Sequence, residues 1–322
     1  MSKSAVLRLL QPLSPADELA GASDAFFDRC DGKCLSDGTK RFYRDKLLCF
    51  TRYLERENVA EPLSGLTARH IRHFIKTEAA RTSLATAKQC FVTLRAFFSF
   101  LVKDGRLESS PVKDMEAPKV PIRVIAPLTE EQVMKLLQTC GNDFYGARDK
   151  AIMLMLLDCG LRAAELCGLS LDNCDLAGGL LLVMGKGRKE REVPIGATAR
   201  LAVKEYLRRR AGVESNALFV SHYGEGLTYS GLAQLLRRRA KAAGLPLRIA
   251  HPHVWRHTAA LFYLRAGGDA LALQRLLGHA SLDMTRRYVD LTREDLAEKH
   301  KLFSPADHLP ADKPEKGRKR LK

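Results

Sequence analysis

The chain has 322 residues, 46% of them hydrophobic, which is length for two ordinary domains and enough apolar mass to exclude global disorder. Lys and Arg number 53 against 37 Asp and Glu, a net charge of +16. A surplus of that size points to a polyanionic partner, either nucleic acid or an anionic membrane surface; a merely well-solvated basic surface is the plain alternative. No apolar run approaches the ~20 residues of a membrane span, and Arg8 interrupts the short apolar start, so neither a membrane helix nor a signal peptide is expected. Eight scattered cysteines without a Cys-x-x-Cys pair suit a reducing cytoplasm better than disulfides or structural zinc.

Residues 15–110 read as a helical bundle. One helix runs through Ala16 to Phe27, and a second starts at Ser36 or Asp37. The second carries Phe42, Leu47, Phe50 and Leu54 inward at helical spacing and shows Lys40, Arg41, Arg44 and Arg52 on the other face. Thr67 is the N-cap candidate of a third helix, burying Ile71, Phe74 and Ile75. A fourth, from Ser83, carries Leu84, Ala87, Cys90, Leu94, Phe97, Phe98 and Leu101 and stops at Gly105. Pro111, Pro118, Pro121 and Pro127 then punctuate residues 111–127, an extended linker and domain boundary.

Residues 128–304 form a second, mixed domain. Thr129 to Gln132 resembles a capping box, and helices are expected at 129–139, 147–159, 162–168, 197–210, 229–243, 253–266, 270–277 and 282–289. Leu180–Met184 and Glu190–Ile195 read as two short strands joined by the basic turn Gly185-Lys186-Gly187-Arg188-Lys189. So little strand content means a mainly α protein with a small antiparallel β-sheet. Residues 305–322 are rich in proline and charge and read as a basic, disordered tail.

Three segments concentrate polar groups. In Gly160-Leu161-Arg162 with Glu165, the glycine suits a helix end, and Arg162 and Glu165 share a helix face. Alone, that is an ordinary surface ion pair. In His253-Val254-Trp255-Arg256-His257, His253 and Arg256 project together from a first helical turn, which suits a phosphate. The rival reading is zinc on His253 and His257, but no glutamate or third ligand accompanies them. In the third segment, Leu277-Gly278-His279 to Tyr288, the histidine alone reads as a helix-end residue and the tyrosine as a half-buried structural one. Taken together, Arg, Lys, His and Tyr are the groups a phosphoryl transfer needs. Guanidiniums neutralise non-bridging oxygens, a hydroxyl attacks, and proton donors and acceptors serve both bridging oxygens.

On these stretches, in this order and spacing, the chain resembles the tyrosine recombinase (phage integrase) family, from Gly160 to Tyr288. The N-terminal bundle resembles the family's SAM-like core-binding domain, so the likeness covers residues ~20–300. Trp255, in place of a more usual leucine, and Ala259-Ala260 are the small departures.

The resemblance implies Tyr288 as nucleophile, attacking a scissile phosphate to give a 3′-phosphotyrosine and a free 5′-hydroxyl. It implies Arg162 and Arg256 as the phosphate clamp, and Lys186 as the acid for the leaving 5′-oxygen. His253 becomes the acid–base group at the tyrosine, His279 a phosphate hydrogen-bond donor, and Glu165 a supporting residue. Neither a metal nor another cofactor is implied, and the partner is double-stranded DNA gripped by both domains. Lys40, Arg41, Arg44, Arg52, Arg188, Lys189, Arg237, Arg238, Arg239 and Lys241 are candidate DNA contacts, a solvated surface being the alternative for the 237–241 run. Four subunits on two DNA sites, a second recombinase or accessory protein, a nucleoid-associated cytoplasmic location and no membrane contact complete the expectation. Type IB topoisomerase-like relaxation and non-catalytic DNA binding are the competing functions.

Overall fold

The computed structural model describes residues 15–121, 126–185, 190–278, 304 and 306, and the chain divides into two units between Arg123 and Val124. Among the described residues of the first unit, four α-helices follow one another: α1 (Pro15–Gly32), α2 (Asp37–Arg56), α3 (Ala68–Arg81) and α4 (Leu84–Lys103). Ser36 and Ser83 cap α2 and α4, each accepting from a backbone N–H three residues on. α4 is the central helix, packed on the other three. Cys90, Phe91, Leu94, Phe97, Phe98 and Leu101 bury it nearly all round, while Leu84 is exposed, unlike the sequence expectation. Phe26 meets Phe97 edge-on at 5.5 Å, and Phe50 meets Phe74 at 5.0 Å. α1 runs five residues beyond the Phe27 expected to end it.

The proline-rich stretch begins as part of this unit. Val112 is fully buried in the same core, and Arg95 donates to the Met115 carbonyl at 2.5 Å. Residues 111–117 are therefore packed, where an extended linker was expected from their prolines.

The second unit opens at the capping box: Gln132 N donates to Thr129 Oγ1, and Thr129 N to Gln132 Oε1, at the start of α5 (Glu130–Gln138). α6 (Phe144–Cys159) starts three residues earlier than its apolar pattern suggested, because Asp143 accepts from Gly146 N at 2.8 Å and caps it. Its run Ala151–Leu156 is buried on every side. A short α7 (Ala163–Cys167) leads into a three-stranded antiparallel sheet, β1 (Cys174–Asp175), β2 (Leu180–Met184) and β3 (Glu190–Pro194). Two residues carry too little alternation to be read, so β1 was missed. The ladder pairs Leu181 with Val193 and Val183 with Arg191.

Among the described residues four α-helices follow: α8 (Ala197–Arg209), α9 (Tyr229–Ala242), α10 (Pro252–Arg265) and α11 (Ala270–Leu277). α8 and α10 both pack on α6. Trp255 on α10 is the largest fully buried side chain. The hydroxyl of the neighbouring Thr258 accepts from Leu128 N and donates to the Val254 carbonyl, both at 2.8 Å. The architecture is the mainly helical one expected, with a small antiparallel sheet. The expected helix 282–289 and the tail 305–322 lie outside the described residues.

Candidate functional site

Gly160 ends α6 at φ 58°, where an added Cβ would stand 2.5 Å from Leu277 Cδ2. Both the left-handed backbone and the close approach require glycine. The turn delivers Arg162 to the N-cap of α7. Its backbone N–H donates to Glu165 Oε2 at 2.9 Å, and its Nη1 to Oε1 at 2.7 Å. The pair seen in the sequence therefore forms, but it is not an exposed one. The Glu165 side chain is 4% exposed, against 33% for Arg162.

A second guanidinium holds the same carboxylate. Arg191 on β3 donates from Nη1 to Oε1 at 2.9 Å and from Nη2 to Oε2 at 2.8 Å. Burial by itself raises the Glu165 carboxyl, yet the hydrogen bonds from Arg191 and Arg162 outweigh it and hold the pKa at about 2. Arg191 was not singled out from the sequence as a site residue. The signal was there: Val193 faces the core, and period-two alternation puts Arg191 on the same face of the strand.

Arg256 rises from the start of α10 and is buried, with Nη1 on the Gly160 carbonyl at 2.6 Å and Nη2 on the Leu277 carbonyl at 2.7 Å. Arg162 Nη2 reaches the Gly278 carbonyl at 3.2 Å, and Arg191 Nε the Leu276 carbonyl at 3.3 Å. Three arginines thus converge on the C-terminal carbonyls of α11, the end of a helix that favours positive charge. His253, three residues before Arg256, keeps an exposed face. Its pKa is lowered by loss of hydration first, then by the charges of Arg256, Arg162 and His251. A neutral imidazole beside two guanidiniums can take a proton at neutral pH. Three guanidiniums against one carboxylate leave the site positive, as an anion requires. Lys186, His279 and Tyr288 lie outside the described residues.

Residues 127–295 match the phage integrase family, and residues 30–105 match the phage integrase N-terminal SAM-like domain. The chain belongs to the phage integrase family. It is 41% identical over 219 residues to tyrosine recombinase XerC of Alcanivorax borkumensis, covering 66% of this chain and 71% of that one. It is 32% identical over 281 residues to tyrosine recombinase XerD of Listeria innocua, covering 85% and 94%. Among solved structures its fold is similar to XerH bound to a palindromic difH substrate (TM-score 0.68, 24% identity, 88% and 85% covered). It is similar also to a lambda integrase dimer on a COC′ core site (TM-score 0.70, 20% identity, 92% and 83% covered). The tyrosine-type DNA recombinase expected from the spaced motifs stands on these matches.

The candidate DNA contacts of this recombinase differ in what they offer. Arg41, Arg44 and Arg52 are exposed on α2, Arg44 lying over the Phe27 ring at 4.7 Å. Lys40 is held by two carboxylates, Asp31 at 2.7 Å and Asp37 at 2.9 Å, so its charge is largely answered within the unit. On α9, Arg237 and Lys241 are exposed. Arg239 is only 13% exposed: it binds the fully buried Asp149 and donates to the Thr139 carbonyl. Arg238, 61% exposed, reaches the same carboxylate at 3.0 Å, and the buried Arg148 reaches it at 2.9 Å. Arg239 is therefore an interior residue, not the surface cation its place in a basic run suggested. Seven residues after Leu232, it lies on the apolar stripe of Leu232, Leu235, Leu236 and Ala240. Arg188 and Lys189 lie outside the described residues.

Proposed function

We propose that this recombinase exchanges strands at a defined site in double-stranded DNA through a phosphotyrosine on Tyr288. The Tyr288 oxygen attacks phosphorus and forms a new P–O bond as the bond to the bridging 5′-oxygen breaks. That oxygen leaves with the electron pair and takes a proton from Lys186; the tyrosine proton passes to His253. Arg162 and Arg256 neutralise the non-bridging oxygens, His279 adds a hydrogen bond, and Glu165 orients Arg162. Attack by the 5′-hydroxyl of a partner strand reverses the step, so the phosphodiester is conserved in number and energy.

The observation that carries this reading is the meeting of Arg162 and Arg256 at the end of α11, one residue before His279 in the chain, with His253 close enough to feel both charges. Double-stranded DNA as the partner is supported by the two structural relatives, which were solved on DNA. In this reading residues 15–110, with 111–117 packed on them, bind the core of the site, 118–127 connect, 128–304 carry the chemistry, and 305–322 are an accessory basic tail. Four subunits act on two sites, alone or with a second recombinase or accessory protein, at the nucleoid.

A nicked duplex selected from a random-sequence pool by binding to the wild type supplies the test. Wild-type protein should form a covalent adduct stable to denaturing electrophoresis. Tyr288→Phe lacks one oxygen and should bind the duplex within about twofold of wild type while forming no adduct. An adduct persisting in Tyr288→Phe overturns the assignment. Relaxation of supercoiled DNA lacking the selected sequence would replace strand exchange by topoisomerase-like action.

A further inference from the structure

Glu165 has no spare hydrogen-bonding edge. Oε1 receives Arg162 Nη1 and Arg191 Nη1; Oε2 receives the Arg162 backbone N–H and Arg191 Nη2. Each oxygen thus takes one bond from each arginine, but the two arginines are used differently. Arg191 commits both terminal nitrogens to the carboxylate and its Nε to the Leu276 carbonyl, with its side chain 16% exposed. Arg162 spends one guanidinium nitrogen on Glu165 and rests the other, Nη2, on the Gly278 carbonyl at a longer 3.2 Å, and its side chain stays 33% exposed.

We propose that Arg191 is a positioning residue for strand cleavage, fixing Glu165 so that Arg162 is oriented toward the scissile phosphate rather than consumed by its own carboxylate. The inference rests on the function proposed above. A buried carboxylate deprived of one of its two cations draws the other into a bidentate pair or takes up a proton. Either outcome turns the Arg162 fork away from the position a phosphate needs, and small misplacements of a clamp are costly in rate. Arg191 also spans three pieces of the site. It is rooted in the strand that follows the Lys186 turn, it bonds to the start of α7, and it bonds to the end of α11. An added Cβ on Gly278 would stand 3.1 Å from its guanidinium, so it is packed against the residue that precedes His279. Holding the hairpin to the core needs none of this, since Leu181, Val183 and Val193 already bury their side chains there.

Single-turnover cleavage and duplex affinity, measured on the selected nicked duplex, test it. Arg191→Gln should bind within about twofold of wild type and cleave on the order of 10- to 100-fold more slowly. Arg191→Lys restores the charge without the fork and should recover part of that loss. In a Glu165→Gln background, where no carboxylate charge needs balancing, Arg191→Gln should cost less than threefold further, about 0.6 kcal/mol. Wild-type cleavage by Arg191→Gln overturns the proposal; so does a Lys variant no better than the Gln variant, or full additivity with Glu165→Gln. Should Arg191→Gln fail to fold by circular dichroism, Arg191→Lys carries the test, and cleavage at the wild-type rate overturns it. Failure of the wild type itself to form an adduct overturns the proposed function and this inference together.

Discussion

Glu165 shows how a single residue links stability to pH. Its carboxyl is lowered from an ordinary 4.5 to about 2 by Arg191 and Arg162, despite burial. A carboxyl depressed in the folded state stabilises the fold above its unfolded pKa, and loses that contribution as the pH falls through the folded value. The contribution is therefore complete above about pH 5 and lost by about pH 2, amounting to about 3 kcal/mol. Urea unfolding across that window should show wild type losing more stability than Glu165→Gln. Parallel acid limbs for the two proteins would show that the carboxylate is not held as described. Asp149 is the comparable centre away from the site, fully buried among Arg148, Arg238 and Arg239. Both are buried anions that join a partner close by in the chain to at least one from far along it.

At the level of elements, helix ends do the positioning. α6 ends at Gly160 and α11 at Gly278, both with positive φ, and the carbonyls at those ends receive Arg256 and Arg162. Gly160 and Gly244 offer a matched comparison within one unit. Gly244 has φ +67° and open space around its missing Cβ, so Gly244→Ala bears backbone strain alone, about 1 kcal/mol. At Gly160 the strain is joined by an overlap with the fully buried Leu277. Gly160→Ala should cost about 2–4 kcal/mol and lower the thermal midpoint clearly more than Gly244→Ala. Equal midpoints for the two variants would mean that α11 yields without resistance and does not fix the carbonyls it presents.

Over the whole molecule, the net charge of +16 becomes a statement about salt. Phosphate contacts release counterions, so duplex affinity should fall steeply with salt, with a log–log slope steeper than about −4. The exposed Arg237 and Lys241 should each contribute about one unit of that slope when replaced by alanine. Arg239→Ala should leave the slope alone and lower the thermal midpoint, because it removes an interior partner of Asp149. Fluorescence anisotropy over a salt series, beside thermal melts, separates the two behaviours. A slope change in Arg239→Ala with an unchanged midpoint would place Arg239 on the DNA side after all.

What the sequence determined by itself was what local rules can carry. Helix periodicity located the helices among the described residues. Ser36, Thr129 and Gly160 marked ends because caps and left-handed turns depend on a few neighbouring residues. Spaced motifs pointed to the chemistry through the family they resemble, whose phosphate clamp calls for the same groups in the same order. The tertiary structure decided which charges are inside and whom they meet. Nothing near Arg191 in the chain announces Glu165, 26 residues away, and nothing near Arg239 announces Asp149, 90 residues away. A buried ion pair is set by how helices and strands pack, and burial turns an ordinary arginine from a surface cation into an interior partner. The same physics packs residues 111–117 against the helical unit, where their prolines alone implied an open connector: proline restricts the backbone but does not say what Val112 will touch.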